Sequence, residues 1–218
     1  MASDYIKTGA TADSLSLSQR PNFLDDAVNL PQDQTLDPGF LLARDAEVTS
    51  EPYGGYKRGE LILSLAWRLR STRGVLWNKN EVFQFNITEE QEPHKTNFQG
   101  TWIVGPESST HCRRTDSFED YLALVYSATS VNAVLTSNSG KPYKVRVTVG
   151  GESLTEKDRG SDIVIGEDGE SYIWITAPTL YNVIDNESYI RRENLKMFSN
   201  SPDFSLFAFT FGVYDTIP

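Results

Sequence analysis

Cysteine occurs once, as Cys112, and histidine only twice, as His94 and His111. One cysteine excludes an intramolecular disulfide, a CxxC redox pair and a thiolate-rich zinc site. The chain also has no glycine-rich phosphate loop, no G-x-S-x-G and no H-E-x-x-H, so the common local signatures of catalysis are missing. Apolar stretches run for only a few residues at a time, far short of a bilayer-spanning helix. Positive charge is scarce as well: 20 Lys and Arg stand against 30 Asp and Glu, a formal charge of −10. With no basic run to offset it, that balance argues against nucleic acid and against membrane insertion. Met1-Ala2-Ser3-Asp4 carries no basic segment leading into an apolar one, and the expectation on that ground is a soluble cytoplasmic chain.

What is present is enough for a globular core. A chain of 218 residues buries about three-quarters of the surface its unfolded form exposes, so no covalent staple is needed. Residues 1–50 are rich in Asp, Ser, Gln and Pro, with apolar clusters broken by Pro21, Pro31 and Pro38. This reads as an extended N-terminal arm, able to lie across its own core or a second copy of the chain. From Gly59 the period changes to two: Leu61, Leu63, Leu65, Trp67 and Leu69 share one parity. Glu81 to Ile87 follows as a strand with Phe83, Phe85 and Ile87 inward, and Thr88 to Gln99 reads as a solvated loop. Short strands are expected at Trp102–Val104, Tyr121–Tyr126 and Val131–Leu135. The clearest is Tyr143–Val149, where Tyr143, Val145, Val147 and Val149 alternate with Lys144, Arg146 and Thr148 before the turn at Gly150-Gly151. Ile163–Ile165 and Tyr172–Thr176 flank Gly166-Glu167-Asp168-Gly169, a hairpin signal. Phe204–Phe211 is apolar on both faces, as a central strand would be. The fold class predicted is all-β, an antiparallel β-sandwich of jelly-roll type spanning residues 51–218.

Side chains able to do chemistry are few. Cys112 adjoins His111, but neighbours in a strand point to opposite faces, which argues against a Cys-His dyad; Arg113 and Arg114 keep a single reactive thiol in play as a weak alternative. A metal site on His94, His111 and Cys112 lacks the short spacings such sites use. Calcium is a weak candidate at Asp162 and Asp168, without the D-x-[DN]-x-[DN]-G pattern; otherwise no cofactor is expected. Thirty carboxylates single out no glycosidase pair. The wet-face aromatics say more. If Ile173 and Ile175 face the core, Tyr172 and Trp174 face outward, and an exposed indole on a sheet is a platform for a sugar or a protein. Trp102, Tyr181 and Tyr189 are the residues that would join it. The competing reading has a loop or the arm covering Trp174. Asn86-Ile87-Thr88 and Asn186-Glu187-Ser188 are glycosylation sequons, meaningful only in a glycosylating pathway.

Several segments in order resemble one known family. Gly100-Thr101-Trp102-Ile103-Val104, Lys141 through Gly151, Gly160-Ser161-Asp162-Ile163-Val164, Ala177 through Ile184 and Leu206-Phe207-Ala208-Phe209-Thr210-Phe211-Gly212 are similar to the C-terminal domain of DipZ-type thioredoxin-like proteins. Thr49 to Tyr56 faintly resembles that domain's lead-in. The resemblance implies a carbohydrate-binding-like jelly roll, normally placed after a thioredoxin domain with a CxxC pair, in an extracytoplasmic setting at odds with the N-terminus. The expectation is therefore a non-enzymatic module that recognises a glycan or a partner protein. The alternatives are an accessory of a separate thioredoxin-like protein, a single-thiol protein using Cys112 and, more weakly, a glycan hydrolase.

Overall fold

A computed structural model describes residues 47–58, 79–87, 91 and 93–213, all within the unit formed by residues 38–218. The arm at 1–46 and the alternating stretch at 61–69 lie outside the described residues. Every element among them is a strand: β1 (Val82–Phe85), β2 (Thr96–Val104), β3 (Ser109–His111), β4 (Asp120–Ser137), β5 (Tyr143–Val149), β6 (Glu152–Ser153), β7 (Ile163–Ile165), β8 (Ser171–Ile175), β9 (Thr179–Ser199) and β10 (Phe204–Gly212). All ladders between them are antiparallel.

The hydrogen-bonded sheet is continuous because three strands, β2, β4 and β9, pass from one layer of the sandwich to the other. In the first layer β2 (96–99), β4 (120–126), β9 (193–199), β5, β8 and β7 lie side by side. In the second, the order is β1, β2 (100–104), β3, β10, β4 (130–137) and β9 (179–185). Bulges between Tyr126 and Ser130 turn β4 through the corner. They also switch its parity: Leu122, Leu124 and Tyr126 are buried before the corner, Val131, Ala133 and Leu135 after it. Strands that change sheets use bulges in this way because the extra residue bends the strand and breaks its alternation. In β2 the bend falls at Gly100, whose φ of 96° is cheap only for glycine. A Cβ there would overlap the Asp120 carboxylate.

Both layers face one core. Trp102, Val131, Leu135, Phe204 and Leu206 come from one side, and Leu122, Val145, Val147, Ile173, Ile175 and Met197 from the other. Each fully buried Leu, Ile or Phe there contributes about 1.5–3 kcal/mol. The strand expectations at Tyr143–Val149 and Ile163–Ile165 coincide with β5 and β7, and the hairpin closes through Gly166 N–H to the Glu170 carbonyl at 2.8 Å.

Three expectations need correcting. Thr96–Gln99 is strand rather than loop, since Phe98 is fully buried while its polar neighbours make the ladder to β4. Tyr121–Tyr126 and Val131–Leu135 are one strand of 18 residues. In β10 a register shift between Leu206 and Ala208 puts Phe204, Leu206 and Phe209 inward, so Phe207 and Phe209 do not share a face. That shift has a partner: Gly54 N–H donates to the Phe207 carbonyl at 2.7 Å and Phe209 N–H to the Pro52 carbonyl at 3.1 Å. Residues 47–58 thus run along the sandwich.

Candidate functional site

The outer face of the first layer is where the candidate residues converge. Because β5 and β8 alternate strictly, Lys144, Arg146 and Thr148 stand outward from β5, and Tyr172 and Trp174 from β8. Register then sets Lys144 beside Trp174, Arg146 beside Tyr172 and Phe198, Thr148 beside Lys196, and Tyr121 beside Phe198. Trp174 is 52% exposed, with its indole uncovered by the described residues. Val164, across from Tyr172 on β7, is exposed too.

Tyr172 points outward as expected but is only 8% exposed. Lys144 Nζ sits 3.8 Å from its ring centroid, and the Phe118 ring packs at 6.0 Å. Its hydroxyl donates to Asp168 Oδ2 at 2.8 Å. Burial first, then that carboxylate, pushes the phenol up to about 12. The Asp168 carboxyl is in turn held below its ordinary value, chiefly by the Tyr172 hydrogen bond. An open cleft of about 430 Å³ runs between Trp174, Tyr172, Lys144, Val164 and the 166–168 turn.

Further along β5 lies a second cleft of about 210 Å³, lined among others by Arg146, Thr148, Lys196, Phe198, Glu152 and Glu170. Arg146 stacks on Phe198 at 4.4 Å and reaches Glu170 at 3.5 Å, and Lys196 Nζ lies 5.2 Å from the Tyr121 centroid. No basic run marks this face in the sequence, yet the sheet brings Lys144, Arg146 and Lys196 onto it among carboxylates. A mixed face of this kind, with one bare indole, suits stacking and directional hydrogen bonds.

The other candidates separate from it. Trp102 is fully buried, its indole N–H donating to the Gln99 carbonyl at 2.9 Å, so it is a core residue and no part of a platform. Tyr181 is also buried; its hydroxyl donates to the Ala177 carbonyl and accepts from Thr176 and Ala177 N–H, fixing the bend before β9. Tyr189 is half-buried and ties Glu47 through a 2.7 Å bond to its carbonyl. Asp162 accepts from Asn182 N–H at 2.7 Å and lies apart from Asp168 in its bonding. Among the described residues no group of three or more His, Cys, Asp or Glu is arranged to hold a metal. Cys112 is half-buried; desolvation raises its thiol, and Sγ donates to the Thr110 carbonyl at 3.3 Å.

One cluster escaped sequence reasoning. Asp120, buried at the start of β4, accepts from Arg113 Nε at 2.6 Å and a second guanidinium nitrogen at 2.5 Å, and from Thr101 N–H at 3.3 Å. His111, fully buried, places Nε2 2.8 Å from Asp120 and Nδ1 2.8 Å from the Ser201 carbonyl. Burial would raise the Asp120 carboxyl, but Arg113, His111 and Thr101 outweigh it and hold it below its ordinary value. With no opening to solvent beside His111, this cluster braces the β2–β3–β4 corner. The usable signal was Asp120 on the inward parity of Leu122 and Leu124.

Compared with known proteins, residues 59–212 match a family model described as thioredoxin like C-terminal domain. No curated protein matches the chain.

Proposed function

Because the chain belongs to the family of thioredoxin-like C-terminal domains, we propose that it is a non-enzymatic binding module, and that its ligand is a glycan stacked on Trp174. The observation that carries this reading is the half-exposed indole, fixed on a rigid strand beside Lys144 and the Asp168–Tyr172 pair, over an open cleft. A flat apolar ring flanked by charged hydrogen-bonding groups matches a sugar, whose ring face is apolar and whose rim carries hydroxyls. The one thiol lies away from this face and is raised by burial.

Trp174→Ala is expected to weaken binding on a glycan array by at least about tenfold while leaving the melting temperature nearly unchanged. Retained binding would refute the reading. Family membership supports a second reading, docking of a separate thioredoxin-like protein that brings the dithiol this chain lacks. In that case Trp174→Ala would abolish co-purification with such a protein and no glycan would bind.

A further inference from the structure

Buried polar atoms in proteins are nearly always hydrogen-bonded, and those that are not call for an explanation. Two such atoms belong to neighbouring outward residues of β5. Among the described residues, Arg146 Nε and Thr148 Oγ1 are both buried without a hydrogen-bond partner. Thr148 is only 7% exposed, and it lines the 210 Å³ cleft together with Arg146. A valine in its place would fill the same space without an unmet hydroxyl.

From this we infer that the 210 Å³ cleft is a second subsite on the proposed glycan face, and that the ligand is a neutral oligosaccharide lying along β5. The inference rests on the glycan reading above and adds to it the ligand's charge and length. Charge is set by the lining. Arg146 and Lys196 face Glu152 and Glu170 in this cleft, and Lys144 faces Glu167 and Asp168 in the neighbouring one. An acidic sugar gains no net attraction from such a lining, on a chain that carries −10 overall. A hydroxyl can accept from Arg146 Nε and exchange a hydrogen bond with Thr148 Oγ1, meeting both needs while remaining neutral. Length is set by the strand. Lys144 at the Trp174 cleft and Thr148 at the polar cleft are four residues apart, about 13 Å along β5, farther than one sugar ring reaches.

The test is calorimetric titration of the full chain, Trp174→Ala and Thr148→Val with neutral gluco-, manno-, galacto- and xylo-oligosaccharides of one to six units and with an oligogalacturonate. For the wild type, affinity is expected to rise from monosaccharide to tetrasaccharide and to exceed that for the oligogalacturonate. Thr148→Val should cost about 3–10-fold in affinity for the longer sugars and little for the monosaccharide, with an unchanged or raised melting temperature. The combination matters, since a merely structural threonine would lose stability and affinity together. If Trp174→Ala loses binding but Thr148→Val does not, the second subsite is wrong while the glycan reading stands. Preference for the oligogalacturonate overturns the assignment of charge. Absence of binding by any of these sugars overturns both.

Discussion

Asp120 shows how one side chain can govern a corner. Its carboxylate gathers Arg113, His111 and Thr101 N–H from the strands on either side, in the space that Gly100 leaves by having no Cβ. Replacing the carboxylate weakens the bonds from Arg113 and the buried His111, at a cost of about 1–3 kcal/mol. Asp120→Asn is therefore expected to lower the melting temperature by about 5 °C. A change within a degree or two would show the cluster to be dispensable. The sign with pH follows from the depressed carboxyl. Its stabilisation is complete above the ordinary aspartate value and is lost as pH falls through the lower folded value, so the variant and the parent converge only in strong acid. Cys112 behaves oppositely, because desolvation raises the thiol and leaves little thiolate at neutral pH. Alkylation at pH 7 should be slower than for free cysteine, and faster modification would revive a reactive-thiol role.

Strands differ in how openly they announce themselves. Tyr143–Val149 is legible because apolar and polar residues alternate along its full length. β9 is the longest strand of all yet leaves no clear period, since it serves two layers and turns at Arg192, whose φ is 56°. β10 hid its parity for a related reason, the bulge that receives Pro52 and Gly54. The outward pair on β8 was readable from Ile173 and Ile175, but the cover over Tyr172 was not, because Lys144 and Phe118 reach it from other segments. Trp102 and Tyr181 misled for want of any local mark that separates a core aromatic from a surface one. The Asp120 cluster joins residues seven, nine and nineteen positions away, a spacing no local motif encodes.

The docked segment 47–58 gives another test. Its Glu47 carboxylate meets His94 at 2.9 Å, Arg191 at 3.4 Å and Arg192 at 3.6 Å, and its carboxyl is lowered, first by the His94 hydrogen bond. A lowered carboxyl stabilises the folded form above the ordinary glutamate value and ceases to do so as pH falls through the folded one. Glu47→Gln should loosen the segment at pH 7, seen as faster amide exchange at Thr49, whose N–H donates to the Ser127 carbonyl. The difference from the parent should vanish once pH falls below the lowered folded value of the carboxyl; equal exchange at pH 7 would show that the ion pairs do not hold the segment.

Taken together, the two outer faces of the sandwich are unlike. The second layer carries a polar row in which Asn182 donates to Asn132 at 3.0 Å and Asn132 to Thr210 at 3.4 Å. The first layer carries the bare indole, stacked cations and unmet polar atoms. Binding is expected on the face that carries the bare indole and its cleft, and a chain of this family can do so without its own redox pair. A titration of isotope-labelled protein with a neutral tetrasaccharide, followed by amide and indole resonances, tests that assignment. Shifts should centre on the Trp174 indole N–H and on β5, β8 and the 193–199 part of β9. Shifts centred on β1, β3 or β10, or none at saturating sugar, would contradict it.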